Sequence, residues 1–277
     1  MKNISDLKIV VIGGGTGLST LLRGLKLFTS NINAIVTVAD DGGSSGVLRE
    51  DLNIPAPGDI RNCIVALANT EDILKKLFRY RFPTGVFEGH SFGNLFLAAM
   101  TEITGDFESA IEHMSSVLAV KGHVLPVTKE NVHLKAILED GSEVFGESNI
   151  PKAALEHKCR IKRISGEPEH VCAFERCIDV IEDADIVVLG PGSLYTSIIP
   201  NLLADGITDA LLRTKAKKVY VCNVMTQPGE TDGFTAFDHV NAIIAHSDRR
   251  VVDACIANTG VVGDMIMIRY LSQGATL

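Results

Sequence analysis

Lys8-Ile9-Val10-Val11-Ile12-Gly13-Gly14-Gly15-Thr16-Gly17-Leu18-Ser19 begins as an apolar, β-branched run and stops abruptly at four glycines and a threonine. The run reads as a buried strand over residues 8–12. A helix is expected over 16–28, because Leu18, Leu21, Leu22 and Leu25 recur at the spacing of one buried face. The same change occurs twice more. Residues 34–39 run into Asp40-Asp41-Gly42-Gly43-Ser44-Ser45-Gly46, and 185–189 run into Gly190-Pro191-Gly192-Ser193-Leu194-Tyr195-Thr196. Glycines let backbone N–H groups approach an anion, and a helix start adds unpaired donors and the positive end of a dipole. Three such loops predict phosphate-binding turns along one edge of a parallel sheet, where open α/β folds hold ligands.

The remaining pattern predicts an α/β fold: a Rossmann-like, mostly parallel sheet flanked by helices, in one domain over 1–277. Helices expected near 59–69, 71–80, 90–103 and 106–120 make a helical insertion over about 55–120. Strands at 132–138 and 143–147 around Glu139-Asp140-Gly141-Ser142 make a β-hairpin over about 132–147, with a short edge strand at 161–164. From 173 the β/α rhythm resumes, with helices at 173–182, 193–203, 207–214 and 236–246 and strands at 186–189, 218–223 and 251–256. The last residues carry no polar tail or stop signal, which leaves open a natural chain longer than 277 residues.

A chain of this length buries roughly 73% of its unfolded surface, enough for one large core. Its net charge of −8, with four Tyr and no Trp, argues against nucleic acid as a partner. No apolar run is long enough for a membrane span and no secretory signal is apparent, so a cytoplasmic protein without membrane insertion is expected. Six cysteines lack metal-ligand spacing and are expected to be reduced, packed thiols. A homodimer is the base-rate expectation.

The first loop breaks the dinucleotide fingerprint G-x-G-x-x-G, since Leu18 stands at the third glycine position, and no Gly-Lys-Ser/Thr triplet marks a Walker loop. Gly13, Gly14, Gly15, Thr16 and Gly17 are therefore candidate phosphate contacts of another kind, joined by Ser44, Ser45, Gly192, Ser193 and Thr196. Asp40 and Asp41 place two carboxylates beside that site. Like charges so close call for a positive partner, which a divalent cation such as Mg²⁺ bridging them to phosphate oxygens would supply, as would a ligand hydroxyl or ring N–H accepted by one of them. In Pro57-Gly58-Asp59-Ile60-Arg61-Asn62, Asp59 reads as an N-cap, while Arg61 and Asn62 in the first turn suit a bound anion. His90 and Asn94 open a further helix with the same two readings. After the 218–223 strand, Asn223, Thr226 and Gln227 are suited to hydrogen bonding a base or sugar. No nucleophile with a local base is apparent, so Asp40 and Asp41 are catalytic candidates only if the protein is an enzyme.

Taken together, and in this order, the loops at 13–19, 38–46, 57–62, 190–197 and 223–231 resemble the YvcK family of bacterial gluconeogenesis factors, which is similar to 2-phospho-L-lactate transferase (CofD). The resemblance covers essentially the whole chain. It implies a shared Rossmann-like core, binding of UDP-sugars such as UDP-N-acetylglucosamine, and support of cell shape and of growth on gluconeogenic carbon, with cell-wall synthesis proteins as partners. The alternative it implies is a metal-assisted phospho-group transferase. By the resemblance, 14–17 with Gly192 and Ser193 would lie at a diphosphate. Asp40 and Asp41 would stand where the transferases hold metal or acceptor, and Asn223, Thr226 and Gln227 would line the nucleotide pocket. Two positions depart from the family: Val47 replaces a basic residue, leaving Arg49 as the charge of that stretch, and Phe234 replaces Tyr but keeps a stacking surface.

Overall fold

The computed structural model describes residues 3–277. The chain runs β1 (Ile9–Gly13), α1 (Gly15–Leu25), β2 (Ile32–Val36), α2 (Gly43–Leu52), α3 (Pro57–Leu67), α4 (Asp72–Arg79), α5 (Phe92–Thr104), α6 (Phe107–Val117), β3 (His123–Pro126), β4 (His133–Leu138) and β5 (Glu143–Phe145). It continues with α7 (Ile150–His157), β6 (Ile161–Glu167), α8 (Glu175–Glu182), β7 (Ile186–Leu189), α9 (Ile199–Leu202), α10 (Ile207–Arg213), β8 (Lys217–Val221), α11 (Ala236–Ala245), β9 (Ala254–Ile256) and α12 (Asp264–Leu271).

Six strands form one sheet in the order β3-β2-β1-β7-β8-β9, and every pairing in it is parallel. Chain direction reverses its march across the sheet between β1 and β7. That is the topological switch point of a doubly wound fold. Burial on both faces explains the continuous apolar strands. Val10 and Ile12 enter the core on one face, with Ile35, Leu189 and Tyr220; Ile9 and Val11 enter the other, under α1, α3 and α6. No helix among the described residues is long and apolar enough to cross a membrane.

Helices α3 to α6 are the expected insertion between β2 and β3, and β4 and β5 are the expected hairpin. The expected edge strand, β6, is longer, running antiparallel beside β4 in a three-stranded sheet of order β5-β4-β6. Strand β2 begins and ends earlier than the apolar pattern indicates. Its partner β1 stops at Gly13, opposite Val36, so residues 37–39 leave the ladder although they stay buried. The expected helix over 193–203 starts as a wide π-type turn, Leu194–Ile198, before α9. Strand β3 and helix α7 had no expectation: β3 is four residues long and ends at Pro126, and α7 carries a proline in its first turn.

Arg49, the basic residue left in the stretch after Asp41, is committed to the protein's own backbone. Its side chain is 1% exposed and lies on α2. Its Nη1 donates to the Ala39 carbonyl at 3.2 Å, Nη2 to the Val132 carbonyl and Nε to Asn131 Oδ1. It thereby ties the chain leaving β2 to the start of β4. Replacing it with Leu would strand two buried carbonyls, and Arg49→Leu should cost about 3 kcal/mol of folding stability. Urea unfolding checks this; an unchanged midpoint would mean that the two sheets do not depend on this residue.

Candidate functional site

At the C-terminal ends of β1, β7 and β8 the chain leaves a cleft of about 1070 Å³. Gly14, Gly15, Thr16 and Gly17 line it from one side and Gly192 and Ser193 from another; Asn223, Thr226 and Gln227 line it from β8. The parallel register brings the loops there: Ile12 lies opposite Leu189, and Leu189 opposite Tyr220, so the three strands end side by side. Two glycines are required by contact. A Cβ on Gly17 would sit 2.7 Å from the Pro191 carbonyl oxygen, and one on Gly14 would sit 2.5 Å from a carboxylate oxygen of Asp59. Loops 13–17 and 190–193 therefore approach backbone to backbone, the first of them carrying the start of α1.

The expected base-reading side chains line this cleft, yet they also hold it together. Asn223 Nδ2 donates to the Gly192 carbonyl at 2.8 Å, and its Oδ1 accepts from the Gly192 N–H at 3.1 Å. Ser193 Oγ donates to Gln227 Oε1 at 2.7 Å, and Thr226 Oγ1 donates to the Thr276 carbonyl at 3.1 Å. Asn258, Gly263, Ile266 and Tyr270 form a further wall. Sequence reading missed that wall, because a largely apolar segment far along the chain carries no motif. It also missed Ser197, which faces the cleft from the π-type turn, and Asn201, whose buried Nδ2 donates to the Gly13 carbonyl at 3.1 Å. Gly13 itself ends β1 behind the cleft.

Several candidates lie elsewhere. Phe234 packs against Tyr195 and His239, with the Arg160 guanidinium 5.1 Å from its ring centre, so it does not offer its ring to the cleft. Thr196 is buried and donates to Glu230 Oε1 at 3.3 Å. Helix α3 starts at Pro57, a favoured first helical residue, with Ala56 at the cap, so Asp59 lies three residues too late to cap it. Its carboxylate instead lies at Gly14, where the Gly15 N–H and the Asn62 side chain favour its charge. Ser44, Ser45, Arg61, His90 and Asn94 gather on the β2 side of the same edge, around the starts of α2, α3 and α5.

Asp40 and Asp41 diverge. Asp40 Oδ1 accepts from the Gly42 N–H at 3.0 Å and its charge acts on Asp59, whereas Asp41 Oδ1 accepts from the Ser148 N–H at 2.9 Å. Among the described residues no three His, Cys, Asp or Glu side chains gather closely enough to hold a metal ion. The two carboxylates thus take separate backbone partners, one in its own loop and one after β5, and any magnesium between them would need phosphate oxygens or water as its remaining ligands.

Three other carboxyls crowd this edge and are pushed upward. Burial, then the Asp40 charge, raises Asp59 to about 6 and Glu147 to about 8; burial raises Glu230 to about 7 despite hydrogen bonds from Tyr195 and Thr196. Each holds its proton more tightly folded than unfolded, so the folded chain binds extra protons between the ordinary carboxyl range and pH 8. The contribution of these carboxyls to stability should therefore fall as pH rises from 5 to 8, against the rise that burial of His123, His133, His239 and His246 gives at the lower end of that range. Chemical unfolding of wild type and Glu147→Gln at several pH values checks this: the wild type should lose stability relative to the variant as pH rises toward 8, and a difference that does not change with pH would refute the crowding.

The family model described as 2-phospho-L-lactate transferase CofD matches residues 9–277. A Clostridium acetobutylicum protein is 57% identical over 270 residues, 98% of this chain and 60% of its own length, so the chain spans three-fifths of that relative. The Bacillus subtilis gluconeogenesis factor is 52% identical over 269 residues, covering 97% of this chain and 84% of its own. The crystal structure of a Bacillus halodurans member of the UPF0052 family superposes with a TM-score of 0.94 at 50% identity, covering 99% of this chain and 86% of that one. With the doubly wound sheet and the glycine-lined cleft at its switch point, these matches establish that the chain belongs to the CofD family and is related within it to proteins named gluconeogenesis factor.

Proposed function

We propose that the cleft binds the diphosphate of a nucleotide sugar of the UDP-N-acetylglucosamine type, and that the protein acts in the cytoplasm as a gluconeogenesis factor. In this reading it couples the level of that ligand to cell-wall synthesis and cell shape. The observation that carries the reading is the meeting of loops 13–17 and 190–193 at one edge of the sheet, where the first of them opens α1. The positive end of α1 beside the close-packed 190–193 loop suits two linked phosphates. Beside them, the cleft walls from β8 and from 258–275 offer room and apolar surface for a nucleoside. The gluconeogenesis-factor name of the Bacillus subtilis relative supports the physiological part.

Group transfer of the kind in the family's description is a second reading, favoured by Asp59. A carboxyl raised to about 6 and packed behind Gly14, which itself lines the cleft, is suited to take a proton from an acceptor hydroxyl. No step in it is routed through a metal.

Isothermal titration with UDP-N-acetylglucosamine should show saturable binding that Gly15→Asp and Ser193→Glu abolish by adding charge at the diphosphate. Absence of saturable heat at millimolar ligand would overturn the nucleotide-sugar reading. Incubation with nucleotide donors and cell extract distinguishes the second reading: nucleotide release lost in Asp59→Asn supports transfer, and no release in any extract rejects it.

A further inference from the structure

On the β2 side of the sheet edge, outside the nucleotide cleft, lies a buried cation without an adequate partner. Arg61, the fifth residue of α3, is 7% exposed, and Asp40 and Asp59 act on it only through space, without an ion pair. Among the described residues its one hydrogen bond runs from Nη1 to the Phe78 carbonyl at 3.5 Å, at the limit of a useful contact, and its Nε has none. Burial, reinforced by the charges of Arg81 and Arg79, lowers it to about 10 and leaves it cationic at neutral pH. A buried charge is costly unless paired.

The surroundings match an oxyanion. The stem of Arg61 lies on the first turn of α5, where a Cβ on Gly93 would sit 2.6 Å from Arg61 Cδ. Ser91 precedes that helix, is 1% exposed, makes no capping bond, and its Oγ has no partner. The Ser44 hydroxyl accepts from the Ser91 N–H at 3.3 Å and from Asn94 Nδ2 at 3.2 Å, and contacts His90 Nδ1 at 3.2 Å. An uncommitted guanidinium N–H and an uncommitted hydroxyl thus both belong to side chains placed at the positive end of a thirteen-residue helix, beside a half-buried imidazole.

From the juxtaposition of Arg61 and Ser91 at the start of α5 we infer that this chain has a second anion subsite, separate from the nucleotide cleft, which takes the phosphoryl or carboxylate group of a second small molecule. The two subsites flank Asp40 and Asp59, so a molecule in each would present its inner end to those carboxylates. The inference goes beyond the nucleotide-sugar reading and does not depend on it.

The test follows the His90 imidazole signals by NMR while the protein is titrated with inorganic phosphate and, separately, with acetate. A saturating shift is expected, kept in Ser193→Glu, whose lesion lies in the other cleft. The affinity should weaken about tenfold or more in Arg61→Gln and in Ser91→Ala, each of which removes one hydrogen bond to a charged group. Ser91→Ala keeps the assay informative if Arg61→Gln does not fold. Saturation by phosphate alone assigns a phosphoryl ligand, and saturation by acetate alone assigns a carboxylate. A shift that does not saturate, that persists at wild-type affinity in Ser91→Ala, or that disappears in Ser193→Glu would overturn the second subsite. Failure of UDP-N-acetylglucosamine to bind while His90 still responds would reject only the nucleotide-sugar reading.

Discussion

Strand β1 is paired in parallel on both sides, with Ile12 opposite Ile35 of β2 and Leu189 of β7, and everything functional in the chain depends on that double pairing. Parallel partners end at the same edge, so the loops after β2, β1 and β7 emerge together even though they are distant in sequence. At this edge chain order reverses, and the adjoining loops diverge to leave a crevice. The requirement for a bare backbone at Gly14 and Gly17 follows from how closely the loops meet.

The same convergence concentrates charge. Asp40, Asp59, Glu147 and Glu230 are drawn to one edge by the chain leaving β2, by α3, by the segment after β5 and by the loop after β8. Water is too scarce there to solvate them all, so carboxyls hold protons at pH values where exposed ones would not. Two arginines are buried nearby, with opposite consequences. Arg49 is spent on the Ala39 and Val132 carbonyls and serves as a staple. Arg61 retains donors and faces the start of α5. Sequence cannot distinguish them, since each is a basic residue on a helix near an acidic loop.

Apolar runs such as Ile9–Gly13 and Ile186–Leu189 are legible because a strand buried on both faces has no polar positions to confuse the pattern. The leucines of α1 and the turn between β4 and β5 are legible for similarly local reasons. What local pattern misplaces are features decided by a distant partner. Residues 37–39 are as apolar as the strand before them, but β1 ends first and offers no further ladder. Phe234 reads as a stacking surface for a ligand, yet Arg160, Tyr195 and His239 already occupy its faces and edge.

By itself the sequence determined the α/β class, the helical insertion, the hairpin and the glycine loops at 14–17 and 190–193, because each is set by residues close together along the chain. Tertiary structure alone decided which candidates share a site. It turned Asp40 and Asp41 to different neighbours, committed Asn223 and Gln227 to holding loops, brought the 258–275 segment against the cleft, and separated Arg61 with His90 from the glycine loops. The physical reason is that strand length, register and available hydrogen-bond partners belong to pairs of segments, and no single segment specifies them.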